Sequence, residues 1–184
     1  MQIFQPLEPE DFALIKGKQP KKEDITTFCA DFPPAQQGSC ISESWPLFRE
    51  EIQTPKGFIN HCSSLPDQEK DRCYSVLIYV ITPLLNFDEK DISSYCQELP
   101  DELHEACYTN AASRMIETDY RLINRAVTLC SNTPSSTLKT TCFEELLKYS
   151  TYNYHVGSEE FRKVCNALPS PWENQCLQRE NMMP

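Results

Sequence analysis

Glycine is scarce in this 184-residue chain, at four residues against fourteen prolines, and that imbalance disfavours a turn-rich β-sandwich. No stretch of eighteen consecutive apolar residues occurs, so the sequence offers no membrane-spanning helix. Residues 1 to 23 lack a basic segment leading into an apolar run, which leaves no signal peptide to read there. No Asn-x-Ser/Thr acceptor is present, since Asn132-Thr133 runs into Pro134, and this points towards a bacterial source. Cys-x-x-Cys and closely spaced cysteine knuckles are missing too, which argues against a thioredoxin-type redox centre and a zinc site. Cationic side chains are few: 17 Lys and Arg face 27 Asp and Glu, for a net charge of −10. Such a chain is repelled by phosphate backbones, so nucleic acid is not an expected partner; the acidity reads as a solubilising surface, with a cationic partner as the sharper alternative.

What is present points to a helical, covalently stapled fold. Forty per cent apolar and ten per cent aromatic residues rule out wholesale disorder. Ten cysteines, an even number, read as a disulfide framework formed in an oxidising compartment, periplasmic or secreted. Together with the missing leader this suggests a mature domain or an excised segment of a longer chain.

The cysteines carry a repeat. They fall at Cys29/Cys40, Cys62/Cys73, Cys96/Cys107, Cys130/Cys142 and Cys165/Cys176, with first members 33, 34, 34 and 35 residues apart. Four residues after each first cysteine stands a proline: Pro33, Pro66, Pro100, Pro134 and Pro169, preceded by Phe32, Leu65, Leu99, Thr133 and Leu168. Proline has no amide proton and fixes φ near −65°, so it ends one helix and suits the first turn of the next. Acidic residues crowd the following turn, as in Pro66-Asp67-Gln68-Glu69 and Pro100-Asp101-Glu102, where they complement a helix N-terminus. Each copy therefore reads as helix, tight turn, helix. Between copies, Thr54-Pro55, Asp88-Glu89 and Ser158-Glu159-Glu160 look like helix starts, the last preceded by Gly157 as a C-cap. The junction between Glu117 and Leu122 shows no breaker.

Helix geometry selects the pairing. The first cysteine lies four residues before the turn proline and the second seven or eight after it, so at about 1.5 Å per residue their heights in a hairpin differ by about 4 to 5 Å. A disulfide tolerates that, given Cα separations of about 4.4 to 6.8 Å. Pairing Cys73 with Cys96 across the next turn leaves a mismatch of roughly 8 Å and is rejected.

The predicted fold is thus all-α: five helix-turn-helix repeats of about 34 residues forming a disulfide-stapled solenoid over residues 24–184, after an extended or disordered lead-in over residues 1–23. The run from Tyr74 to Ile81 is β-branched enough to suit a strand, but the repeat register demands a helix, one packed on both sides. The polar close at Gln178, Arg179 and Glu180 resembles a capping helix or a truncation.

A 34-residue helix-turn-helix period with one cysteine pair per unit resembles the tetratricopeptide superfamily, and within it the disulfide-bridged, Sel-like branch. The likeness spans about residues 24 to 180 and is architectural, since the small-residue positions of those families are absent. It implies a superhelix whose concave face binds peptides or proteins, and it carries over no functional residue.

No catalytic constellation is legible, and no cofactor is expected. His61, His104 and His155 fall in different copies, without carboxylates at ligand spacing, so no metal site is assigned. Carboxylate pairs such as Glu144/Glu145 read as solvated helix faces. Tyr120, Tyr149, Tyr152 and Tyr154 make the second half tyrosine-rich and are the candidate partner-binding residues, because tyrosine combines apolar area with a hydroxyl. Core packing between copies four and five is the competing role for them. The expected function is a non-enzymatic extracytoplasmic scaffold or adaptor for a protein or peptide; a secreted inhibitor or effector acting on a cationic partner, and periplasmic metal handling, are the alternatives.

Overall fold

A computed structural model of the chain describes residues 20–65 and 67–179. Eleven α-helices occur among them: α1 (Ile25–Ala30), α2 (Pro34–Glu43), α3 (Arg49–Ile52), α4 (Pro55–Ser63), α5 (Asp67–Leu84), α6 (Glu89–Gln97), α7 (Asp101–Thr118), α8 (Ile123–Ser131), α9 (Ser136–Asn153), α10 (Glu159–Ala167) and α11 (Trp172–Gln178). Short 3₁₀ turns punctuate them, and no strand occurs among the described residues. The run from Tyr74 to Ile81 lies inside α5, so the register prevails over β-propensity. Its packing is one-sided: Leu77, Ile78 and Ile81 are buried while Val76, Tyr79 and Val80 stay partly open.

The helices form two layers. The second helices of successive copies, α2, α5, α7, α9 and α11, each pack on the next, and α6, α8 and α10 run in a row behind them. One apolar core extends from Ile52 to Cys176 between the layers, and it contains the cysteines of copies two to five. Copy one joins it only in part: its buried Ile25, Cys29 and Phe32 lie outside that core, whereas Ile52 is buried in it and Ile41, Trp45 and Phe48 pack against it.

Five disulfides close the hairpins, Cys29–Cys40, Cys62–Cys73, Cys96–Cys107, Cys130–Cys142 and Cys165–Cys176, with Cα separations of 5.4 to 5.7 Å. These are the pairs that matched heights select. No cysteine is left free.

The tight turn is built the same way in four copies. Phe32, Leu65, Leu99 and Leu168 bury their side chains and donate their N–H to the carbonyl of the first cysteine three residues earlier, at 3.1 to 3.2 Å. The fourth copy has Thr133 in that place, and its hydroxyl donates to the Cys130 carbonyl at 3.0 Å instead. The proline that follows stands outside the second helix rather than in its first turn. Pro100 is the extended N-cap residue of α7, and Pro134 lies one residue before Ser135, which caps α9 by accepting from Leu138 N–H at 3.2 Å. Pro169 likewise precedes α11 by three residues. At these positions the ring ends the first helix, while the proline carbonyl of copies one, three and five still receives an N–H of the second. Pro66 is outside the described residues.

Three further readings change. Pro46 breaks the second helix of copy one, which stops at Glu43 and continues as a 3₁₀ turn (Trp45–Phe48) and the short α3, because proline removes one helical bond and crowds the carbonyl four residues back. Gly157, at φ 86°, is not a helix cap: α9 has already ended at Asn153, and the glycine serves a turn closed by Ser158 N–H on His155 carbonyl at 2.9 Å. The third junction does have a breaker, Asp119, extended at φ −159° and accepting from Arg121 N–H at 2.9 Å. The lead-in reading falls on residues 1–19, outside the described residues, except that Lys22–Asp24 already form a 3₁₀ turn. Glu180 is likewise outside them.

The caps read from sequence at Thr54, Asp88 and Ser158 all accept N–H bonds from the first turn of the next helix. Ser158→Ala removes the bond from Phe161 N–H at 3.1 Å and leaves that donor at the edge of a fully buried phenylalanine. A loss of about 1 kcal/mol in chemical denaturation is expected. An unchanged midpoint would show that solvent satisfies the donor equally well.

Candidate partner-binding face

In α5, α7 and α9 a row of partly open or exposed side chains, of which Val80 and Tyr149 also touch the core, follows the second cysteine by three, six or seven, and ten residues. They are Val76, Tyr79, Val80 and Pro83 on α5, then Arg114 and Glu117 on α7, then Lys148, Tyr149 and Tyr152 on α9. The 3.6-residue period places each set on one stripe, and side-by-side packing of the three helices joins the stripes into one face.

Hydroxyl groups bind this face together across three copies. The Tyr79 hydroxyl of copy two donates to the Tyr149 hydroxyl of copy four at 3.3 Å and lies 3.1 Å from Ser113 Oγ of copy three, between them. The two long tyrosine side chains meet over the intervening copy beside Ser113, a small and fully buried residue. The Arg114 guanidinium lies 5.9 Å from the Tyr79 ring centre and 3.8 Å from the Glu117 carboxylate. Burial raises the Tyr79 hydroxyl well above the usual phenol range, so it stays a neutral donor at physiological pH. Burial also raises the Glu117 carboxyl, with Arg114 pulling the other way. Further along α9, Tyr149 meets Tyr152 edge-on at 6.0 Å, and Lys148 lies 5.4 Å over the Tyr149 ring while pairing with Glu145 at 3.1 Å. Tyr152 is 83% exposed, far above every other large apolar or aromatic side chain on the described surface.

The four tyrosines expected to act together divide. Tyr149 and Tyr152 lie on the face just described. Tyr120 and Tyr154 instead lock the junction of copies three, four and five: their rings meet edge-on at 6.3 Å, the Tyr154 hydroxyl donates to the Ile116 carbonyl, and Lys163 covers Tyr120 at 5.3 Å. Burial, aided by Asp119 and Glu117 nearby, pushes the Tyr154 hydroxyl up to about 12. Tyr79, Arg114 and Glu117 were not legible as members of the site. A repeat-aligned comparison of the exposed helix positions is the signal that would have found them.

The other candidate chemistry is dispersed. His104 Nε2 lies 2.9 Å from the Leu99 carbonyl, His155 Nδ1 lies 2.9 Å from the Val156 carbonyl, and His61 is buried against Phe48. No group of three or more His, Cys, Asp or Glu side chains among the described residues could hold a metal ion, and the disulfides leave no thiolate to ligate one. No helix among the described residues is long and apolar enough to cross a membrane. Five intramolecular disulfides place the chain in an oxidising, extracellular or secreted setting. Compared with protein-family models, curated proteins and solved structures, the chain shows no match, so the family resemblance rests on architecture alone.

Proposed function

We propose that this chain is a non-enzymatic adaptor, periplasmic or secreted, whose face across α5, α7 and α9 receives a protein or peptide partner, as the concave faces of tetratricopeptide-like and Sel-like arrays do. The observation that carries the reading is that face itself: aliphatic on α5, aromatic on α9, held in one shape by the Tyr79–Tyr149 hydroxyl contact, and open at Tyr152. Aromatic side chains on a preorganised scaffold bind with little loss of rotamer freedom, which favours them as contact residues.

A cross-linking capture from the native compartment, followed by titration of the purified partner, tests this. Tyr152→Ala is expected to raise Kd about tenfold, or about 1.4 kcal/mol, with an unchanged helical circular dichroism spectrum. Unchanged affinity would remove this face from the reading. The runner-up, an effector or inhibitor acting on a cationic partner, is supported by the charge of −10. It separates by salt: raising ionic strength from about 0.15 M to about 0.5 M weakens a charge-steered complex sharply and an aromatic-anchored one little.

A further inference from the structure

The seam between copy one and the rest of the array holds a side chain that nothing above explains. His61, near the end of α4, is only 7% exposed, and its Nε2 is buried with no hydrogen-bond partner. Its ring packs on Phe48 at 4.8 Å between centres. Phe48 ends the 3₁₀ turn that Pro46 inserts between copies one and two, and Lys22, at the entrance to copy one, lies over the same ring at 5.3 Å. Lys22 also pairs with Glu51 of α3. The α1–α2 hairpin has few other ties: α2 packs on α5, Ile41 lies against the main core and Arg72 donates to Ser39 at 3.2 Å, while buried Ile25, Cys29 and Phe32 stay outside that core.

We propose that His61 is an acid-sensitive latch: the neutral imidazole seals the seam by stacking on Phe48, and its protonation releases the 3₁₀ turn at 45–48 and lets the α1–α2 hairpin swing free as a unit still stapled by Cys29–Cys40, while buried Ile52 keeps α3 in place. The chemistry follows from where the ring sits. A protonated imidazole carries a donor on both nitrogens and a full charge, and at Nε2 neither an acceptor nor solvent is at hand. The surrounding elements bring ionisable groups, namely Lys22 at the entrance, Arg49, Glu50 and Glu51 on α3, Lys56 on α4 and Asp67, Glu69, Lys70, Asp71 and Arg72 on α5. None of them acts on the ring, and burial alone sets its basicity. Burial holds the imidazole below its ordinary 6.5 while it is docked, so the undocked form takes the proton more readily. Docking is therefore at full strength above about 6.5 and weakens as pH falls through that value towards the depressed one. The ring relieves its charge by turning out to water, and the stack on Phe48 is lost with it.

Hydrogen exchange read by mass spectrometry on the intact oxidised chain at about pH 7.5 and pH 5.5, corrected for the intrinsic pH dependence of amide exchange, tests the latch. Residues 25–48 are expected to exchange faster at the lower pH after correction, by up to about tenfold, while residues 89–178 stay unchanged. His61→Phe keeps a ring on Phe48 but cannot take a proton, and is expected to abolish the response; His155→Asn is expected to retain it. Should His61→Phe not fold, the imidazole C–H resonances of His61 in the unmodified chain decide, with the titration expected below the ordinary 6.5. Equal corrected exchange at the two pH values, a response that survives in His61→Phe, or a His61 that titrates at or above about 6.5 would overturn the proposal.

Discussion

Replacing Cys96 and Cys107 together by alanine is expected to lower the unfolding free energy by about 3 kcal/mol, measured by urea denaturation under oxidising conditions. The bond closes a loop with a sequence separation of 11 in the middle copy, and both sulfurs lie in the core. On the chain-entropy account such a loop restricts the unfolded chain by about that amount, and the two vacated sites add a small packing loss. Alanine is the informative replacement, since two serines would leave hydroxyls in an apolar interior and add a penalty unrelated to the cross-link. For a chain of this length the loss corresponds to about 6 to 12 °C in Tm. The α6–α7 hairpin keeps other ties, including the buried Ser93–Tyr108 hydroxyl pair at 3.2 Å, so the fold should persist with a shallower transition as the array loses cooperativity at its centre. A loss below about 1 kcal/mol would mean that the reduced hairpin is already ordered before folding, and that packing rather than cross-linking holds this copy.

Gly57→Ala is expected to cost about 2 kcal/mol although it should help α4 locally. Alanine in place of glycine inside a helix is worth about 1 kcal/mol. Yet a Cβ at position 57 would stand 2.1 Å from the Glu51 carbonyl oxygen and 2.6 Å from its carbon, and both are backbone atoms that cannot turn aside. The short α3 would have to retreat, and it carries Ile52, whose side chain is fully buried and whose carbonyl accepts the Tyr95 hydroxyl at 2.8 Å. Overpacking of this kind costs about 1 to 3 kcal/mol beyond what propensity returns. Gly38 provides the contrast. A Cβ there meets Glu69 Cγ at 2.5 Å, a side-chain atom that can swing away, so Gly38→Ala should be close to neutral in the same melts. If Gly57→Ala instead proves stabilising, α3 is free to move and does not brace Tyr95.

Several features were determined by the sequence itself. The disulfide partners follow from the spacing of four residues before and seven or eight after the turn proline, because helical rise converts residue count directly into height. Helix starts at Thr54, Asp88 and Ser158 were legible because a cap is a local bond between a side chain and an N–H two or three residues on. The Thr133 variation was visible as well, and its hydroxyl makes locally the bond that the backbone makes elsewhere.

What only the tertiary structure decided concerns residues whose neighbours come from other copies. Tyr154 and Tyr149 look alike five residues apart, yet one donates into α7 and the other meets Tyr79 across a whole copy. Their difference depends on how far one helix turns relative to the next, a quantity that no spacing in the chain encodes. The split of the four tyrosines, the place of Arg114 and Glu117, and the exposure of His61 all depend on it. The same holds for the seam at copy one, where only the packed helices show that the break at Pro46 lies beside a buried imidazole without a partner at Nε2. Backbone geometry is local and repeats with the sequence, whereas side-chain environment is set by several distant segments at once, and in this array the candidate face and the seam are both made of environment.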